Sequence, residues 1–222
     1  MRSSRALPFF IISCLWLGTL ALVGPYDLAI SRQLYIHEGS FGHLIRVWGT
    51  LPSGLAQLGA VLWLLIPAWR RRSDLISLLA VTLLVMSILQ PYVITTLLKG
   101  IWGRTRFFDL HGDWSRFTPF WSPAPSGTGL SFPSGHTATA VVFSPLAAQL
   151  WREGQKKAST IMATATLAWG LTVALGRIIH GAHYATDVIF SLGLSILLAP
   201  FVADWSRLIW LRWFREPVAH GR

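Results

Sequence analysis

Long apolar runs alternate with shorter polar segments along the whole chain. Six of these runs contain at most one charged residue each. They cover approximately residues 7–23, 51–69, 75–98, 137–151, 158–175 and 184–202. Runs of this length and composition are typical of helices that cross a bilayer, where each backbone group is satisfied within its own segment. The pattern therefore predicts an all-α fold, with six transmembrane helices in one domain over residues 1–222.

The segments between the runs predict further structure at the membrane surface. Residues 25–50 mix charged and apolar positions and are expected to form one or two short interfacial helices. Residues 100–133 are rich in Pro, Gly and aromatic side chains, which predicts irregular chain on the membrane surface. This connection either anchors the protein or acts as a lid that contacts lipid tails. Pro91 predicts a kink in the third run, and residues 204–222 predict a basic amphipathic tail on the membrane surface.

Composition supports an integral membrane protein. Apolar residues make up 53% of the chain, charged residues 13%, and the mean hydropathy is +0.51. The net charge of +10 could suggest nucleic acid as a partner, but the basic residues are scattered among apolar runs. We therefore expect the bilayer to be the partner rather than nucleic acid. The first run is expected to be retained rather than cleaved as a signal peptide, because Val23-Gly24-Pro25 is a poor cleavage site.

Cysteine and histidine spacing bears on disulfides and cofactors. Cys14 is the only cysteine in the sequence, so an internal disulfide is impossible. No Cys/His group has the spacing of a zinc site, and we expect neither a metal nor another cofactor.

The distribution of Lys and Arg predicts the orientation. With six spans, 12 of the basic residues fall on the side of the two termini and 7 on the other side. By the positive-inside rule, both termini are expected in the cytoplasm. The short chain, without any added domain, suggests a bacterial protein of the inner membrane, whose opposite face is the periplasm.

Three polar clusters lie at the ends of apolar runs on that opposite face. They are Lys99 to Arg106, Pro133-Ser134-Gly135-His136, and Arg177 to Asp187. Ionisable groups beside apolar spans are costly and usually functional. The three clusters therefore predict an active site at the periplasmic surface of the membrane.

These clusters combine cations with histidines. Lys99, Arg106 and Arg177 could hold a phosphate and its transition state. Ser134 and Gly135 precede a predicted helix, where a hydroxyl and backbone N–H groups could add donors. If a helix begins near His183, Asp187 lies one turn further on and can accept from one imidazole nitrogen, which leaves the other as nucleophile or base. With His136 as proton donor, this set suits phosphoryl transfer without a metal.

At these residues the chain resembles the type 2 phosphatidic acid phosphatase superfamily of membrane lipid phosphate phosphatases. Its first motif, a lysine and six residues before Arg-Pro, matches at Lys99 and Arg106, with Phe107 in place of Pro. The second, Pro-Ser-Gly-His, is intact. The third has Gly176 instead of Ser before Arg177, and then matches at His183 and Asp187. The resemblance extends to the six-span layout and covers most of the chain beyond the first loop.

The resemblance implies a role for each matching residue. His183 is expected to be the nucleophile that forms a phosphohistidine, Asp187 to orient it, and His136 to be the general acid. The expected phosphoryl ligands are Lys99, Arg106, Ser134, Gly135 and Arg177. Phe107 removes a rigid turn beside Arg106, and Gly176 removes a hydroxyl. We expect neither departure to abolish activity.

The expected activity is hydrolysis of a lipid phosphate or diphosphate. The bacterial branch of the family acts on lipid A, undecaprenyl pyrophosphate, phosphatidylglycerol phosphate and phosphatidic acid. Two alternatives remain: transfer of the phosphoryl group to another lipid, or a lipid-binding protein that has lost catalysis. A soluble relative of the vanadate-binding haloperoxidases is disfavoured by the six spans.

Other charged or histidine side chains are expected to have no catalytic role. We interpret Arg104 and Arg116 as solvated at the interface, because arginines at helix ends commonly extend towards water. Four further histidines, His37, His43, His111 and His180, are interpreted as structural.

Overall fold

The computed structural model describes residues 6–37, 40–124 and 129–214, and within these ranges the chain is helical without a β-strand. The all-α prediction is confirmed. The helices, in chain order, are α1 (Ala6–Val23), α2 (Asp27–Leu34), α3 (Ser40–Trp48), α4 (Leu51–Leu65), α5 (Pro67–Arg70), α6 (Asp74–Ser87), α7 (Thr95–Trp102), α8 (Gly135–Ala140), α9 (Ser144–Arg152), α10 (Lys156–Ile179) and α11 (Ala185–Trp213).

Four segments of the described chain are long and apolar enough to cross a membrane. They are Ala6–Leu34, Asp74–Trp102, Lys156–Ile179 and Ala185–Trp213. These segments contain the first, third, fifth and sixth of the predicted spans. The protein is therefore a multi-pass membrane protein.

The other two predicted spans are shorter or interrupted. α4 has 15 residues and ends just before Pro67. The run 137–151 is divided into α8 and α9, because Pro145 near the start of α9 has no N–H to donate to the preceding turn of a continuing helix. The six-span arrangement remains a prediction.

One expectation about helix shape needs correction, and the structure adds detail to another. α11 continues to Trp213, so the first part of the predicted surface tail belongs to this helix, and residues 215–222 lie outside the described ranges. Arg207 pairs with Glu153, the residue that follows α9, at 2.6 Å and helps to hold this extension. Around Pro91 the chain forms a π-helical segment, Ile88–Ile94, in which Gln90 donates to the backbone oxygen of Ser191 on α11 at 2.8 Å.

Helices α4, α6, α9 and α11 surround the main apolar core, where Met86, Val142 and Val202 are fully buried. α1 packs on α11 through Trp16, which lies against Gly193 and donates to the backbone oxygen of Ile189 at 3.2 Å. Such close approach at a small residue is typical of helices packed within a membrane. The ends of α7, α8, α10 and α11 meet at one end of this bundle, where Ser134 N–H donates to the Asp187 carbonyl.

Candidate active site

The three polar clusters converge at this end of the bundle. Lys99, near the end of α7, donates to the backbone oxygen of Leu130, one residue before Ser131. A Cβ atom built on Gly135 would lie 4.0 Å from Cε of Lys99. His136 lies within electrostatic range of Arg177, Arg106 and Lys99. The structure thus brings the residues of all three motifs together.

His183 lies in the turn between α10 and α11 and is 2% exposed. Its Nδ1 is 2.6 Å from the backbone oxygen of Ser131. Because a carbonyl oxygen only accepts, Nδ1 must donate, which leaves Nε2 with a free lone pair. Burial lowers the pKa of His183 to about 3, against the opposing effect of the nearby Asp187 carboxylate. The imidazole is therefore neutral at neutral pH, as a nucleophile must be.

Asp187 orients His183 differently from the sequence-based expectation. Its Oδ2 is 3.6 Å from Nδ1 of His183, beyond hydrogen-bond distance. The same oxygen accepts from the hydroxyl of Ser131 at 2.5 Å and from the N–H of Tyr184 at 2.9 Å. Asp187 therefore fixes Ser131 and the start of α11, and the carbonyl of Ser131 in turn holds the imidazole.

Arg104 is only 1% exposed, so its interpretation as an interfacial, solvated residue is wrong. Its Nη1 lies 2.5 Å from Oδ1 of Asp187, and its Nη2 lies 2.9 Å from Oδ2 of Asp27. The guanidinium also stacks on Tyr184, with 4.0 Å from Cζ to the ring centroid. The two carboxylates accept hydrogen bonds from the planar guanidinium, whose donors water would otherwise have to satisfy.

Asp27 ties the first membrane-spanning segment to this network. Its Oδ1 accepts from the N–H of Thr186 at 2.9 Å, and its Oδ2 also contacts the hydroxyl of Thr186. Asp27 and Asp187 thus both bind Arg104, and both accept hydrogen bonds from backbone N–H groups at the start of α11. Sequence reasoning missed Asp27, although an acid within a long apolar segment is a signal that a partner is buried with it.

Two of the three predicted cations offer buried donors towards the site. Arg177 is 4% exposed, and its Nε and Nη1 atoms have no partner among the described residues. Nε of Arg106 is likewise buried without a partner in that part of the chain. Arg106 and Arg177 lie close enough for their charges to repel. Several unpaired cationic donors in one place are suited to a multiply charged anion.

Within the Pro-Ser-Gly-His segment, Ser134 offers fewer free donors for a phosphate than expected. Its hydroxyl is buried, caps α8 by accepting from the N–H of Thr137, and lies 2.9 Å from the Thr137 hydroxyl. The backbone N–H of Ser134 donates to the backbone carbonyl of Asp187. The Gly135 N–H, in the first turn of α8 where no intrahelical acceptor exists, is the better-placed backbone donor.

His136 is held through α3. Its Nε2 lies 3.2 Å from the backbone oxygen of Arg46. Burial and the positive charges of Arg177, Arg106 and Lys99 lower the pKa of His136 to about 4, although the contact with Arg46 opposes this. Sequence reasoning missed Arg46, because α3 lies far from the motifs along the chain.

The structure explains both departures from the family motifs. The backbone at Phe107 has φ of −60°, the value that proline would impose, and its ring packs on Tyr35 and Trp114. The turn beside Arg106 is therefore kept by packing. At Gly176, a Cβ atom would lie 2.6 Å from Cβ and Cγ1 of Ile45, so glycine allows α3 to approach α10.

This contact predicts that restoring the family's usual serine is harmful. We expect Gly176→Ser to displace α3, lower stability by about 1–3 kcal/mol through overpacking, and reduce activity because α3 carries the carbonyl that holds His136. The thermal midpoint and phosphate release of the purified variant measure both effects. Gly176→Ser combined with Ile45→Ala should recover much of the loss. A Gly176→Ser variant equal to wild type in both measurements would contradict the packing argument.

The fold and the site together define a membrane protein of packed helices, with two histidines and a group of cations at one end of the bundle. Comparison with protein-family models matches the PAP2 superfamily over residues 79–210. The chain belongs to this superfamily, and at that level it is a membrane phosphatase.

A solved structure shares the fold. It is described as the first transmembrane PAP2 type phosphatidylglycerolphosphate phosphatase from Bacillus subtilis, and it matches with a TM-score of 0.57 and 19% identity. The match covers 93% of this chain and 98% of that one. No curated protein sequence gives a significant match.

Proposed function

We propose that the protein is a metal-independent lipid phosphatase that forms a phosphohistidine on His183. The observation that carries the proposal is the state of this side chain: buried and neutral, with Nδ1 donating to the Ser131 carbonyl and Nε2 left as the nucleophilic atom. Lys99, Arg106 and Arg177 supply positive charge where the phosphoryl oxygens gain negative charge. Ser134 and Gly135 complete the phosphate-binding set, mainly through the N–H of Gly135.

In the first step, the lone pair of His183 Nε2 attacks phosphorus. The bond from phosphorus to the leaving lipid oxygen breaks, and that oxygen takes a proton from His136. In the second step, water attacks the phosphohistidine and gives a proton to His136. The bond between phosphorus and nitrogen breaks, inorganic phosphate leaves, and His183 is regenerated. A positioned proton donor contributes about 10²–10⁴-fold to such reactions.

The charge balance of the site supports His136 as this acid. Its pKa is lowered partly by the surrounding cations, and a bound phosphate offsets their charge. Substrate binding therefore raises its proton affinity at the stage where a proton is needed. Since Nε2 faces the carbonyl of Arg46, Nδ1 is the nitrogen that gives and takes the catalytic proton.

The setting of the site supports a lipid substrate. A lipid can present its phosphate at the end of the bundle while its tails stay in the bilayer. The asymmetry of Lys and Arg supports a site on the periplasmic face of a bacterial inner membrane, with both termini in the cytoplasm. The substrates to compare are lipid A, undecaprenyl pyrophosphate, phosphatidylglycerol phosphate and phosphatidic acid.

Phosphate release from this panel by protein purified in detergent, with a chelator present throughout, tests the proposal. We expect inorganic phosphate from at least one lipid at a rate that the chelator leaves unchanged. A phosphorylated second lipid without free phosphate would indicate phosphotransfer. No product from any lipid would indicate a member of the fold that has lost catalysis.

A further inference from the structure

A cleft of about 500 Å³ lies beside the catalytic residues. Its polar lining consists of His37, His43, Arg46, His111 and His180. Tyr35 and Phe108 form its aromatic walls. The described residues that line it include no acid, and the described residues contain no group of three or more side chains suited to hold a metal. The described lining of the cleft is therefore basic.

This cleft adjoins the active site at His136. Arg46 lines the cleft, and its backbone oxygen contacts His136. Under the proposed function, on which this argument rests, His136 protonates the leaving oxygen. A chemical group attached to that oxygen therefore lies next to Arg46.

We propose that the cleft binds a second phosphate carried by the leaving group itself. The substrate class is then a lipid with two phosphates on one headgroup, either as a diphosphate or as a monoester joined to a phosphodiester. A lipid whose leaving group is uncharged, such as phosphatidic acid, leaves the cleft unused. The two-phosphate headgroup thus becomes the determinant of specificity.

The charges around the cleft favour an anion over a neutral group. Arg46 is close enough for its positive charge to act on both Arg177 and His180. No acid among the described lining residues offsets this positive charge. Burial and the charges of Arg177, Arg46 and His43 lower the pKa of His180, and a bound anion would relieve this repulsion. Arginine can donate two parallel hydrogen bonds to one phosphate, and neutral histidine can add another.

The test compares lipids in two pairs. Farnesyl diphosphate and farnesyl monophosphate differ by one directly attached phosphate. Phosphatidylglycerol phosphate and phosphatidic acid both lose phosphate from a glycerol monoester, but only the first carries a phosphodiester on its leaving group. Because this second pair has matched reacting groups, it separates binding in the cleft from intrinsic leaving-group reactivity.

The decisive variant is Arg46→Gln, which removes the guanidinium and keeps the backbone oxygen that contacts His136. We expect it to lower kcat/KM for the two-phosphate lipid of at least one pair by about 10- to 100-fold more than for its one-phosphate partner. Arg46→Lys should retain part of the difference. Arg116→Gln, an exposed arginine outside the cleft, should change neither lipid of a pair.

The outcomes separate the two proposals. A loss confined to the farnesyl pair identifies an adjacent second phosphate, and a loss confined to the glycerol pair identifies a phosphodiester. Hydrolysis of these lipids with equal effects of Arg46→Gln within both pairs overturns the cleft proposal and leaves the phosphatase proposal standing. No phosphate release by wild type from any of the four lipids overturns the cleft proposal, and no release from the wider lipid panel either overturns the phosphatase proposal.

Discussion

His183→Ala is expected to lower phosphate release by about 10⁴-fold or more, since it removes the atom that bonds to phosphorus. A loss of this size requires that Nε2 acts in the reaction itself, because weaker binding alone is offset at saturating lipid. The measurement is the steady-state rate at saturating lipid phosphate in detergent, with wild type and variant at equal concentration.

His183→Asn provides the matched control for folding. The asparagine amide can donate to the Ser131 carbonyl as Nδ1 does, but it has no atom at the position of Nε2. We expect a thermal midpoint close to that of wild type and activity as low as that of His183→Ala. If His183→Asn kept a substantial fraction of the wild-type rate, the imidazole would not be the nucleophile.

Arg104→Met is expected to lower the free energy of unfolding by about 3–5 kcal/mol, because it leaves Asp27 and Asp187 as buried carboxylates without their cation. For a chain of this length, the change corresponds to roughly 10 °C or more in the thermal midpoint. Thermal unfolding in detergent, followed by circular dichroism, measures it. Activity should fall as well, since Asp187 and Ser131 position His183.

Arg116→Met is the control for this variant. Arg116 is an exposed arginine of the same connection. Its one side-chain hydrogen bond to the described residues is to the backbone oxygen of Asp109, at 3.3 Å. We expect its replacement to cost less than about 1 kcal/mol. Adding Asp27→Asn to Arg104→Met should restore part of the stability by removing one of the two unpaired charges. An unchanged midpoint for Arg104→Met would contradict a structural role for the buried pair.

The sequence was sufficient to predict which motif residues meet. His183 and Asp187 are four residues apart at a helix start, and Lys99, Arg106, His136 and Arg177 stand at the ends of apolar runs. These are local patterns, and the bilayer limits the possible arrangements of the helices that carry them. The same reasoning predicted the all-helical fold and six spans, of which four correspond to described segments able to cross the membrane.

The contacts that support the site could not be predicted in this way. Arg104 pairs with Asp27, 77 residues away in the chain, and Ser131 holds His183 from 52 residues away. Neither pair follows a local spacing, and an arginine near a helix end looks the same in sequence whether it is solvated or buried. The break between α8 and α9 was missed for a different reason, because Pro145 lies inside a run that contains no charged residue.

The central claim is a covalent phosphoryl intermediate on His183. The most direct measurement mixes purified protein with a lipid phosphate labelled at the reacting phosphorus, quenches the mixture in alkali within milliseconds to seconds, and maps the labelled peptide by mass spectrometry. The account predicts an alkali-stable, acid-labile phosphoryl group on the peptide that contains His183, absent from His183→Asn. Turnover with no label on this peptide at any quench time, or with label on another residue, would contradict it.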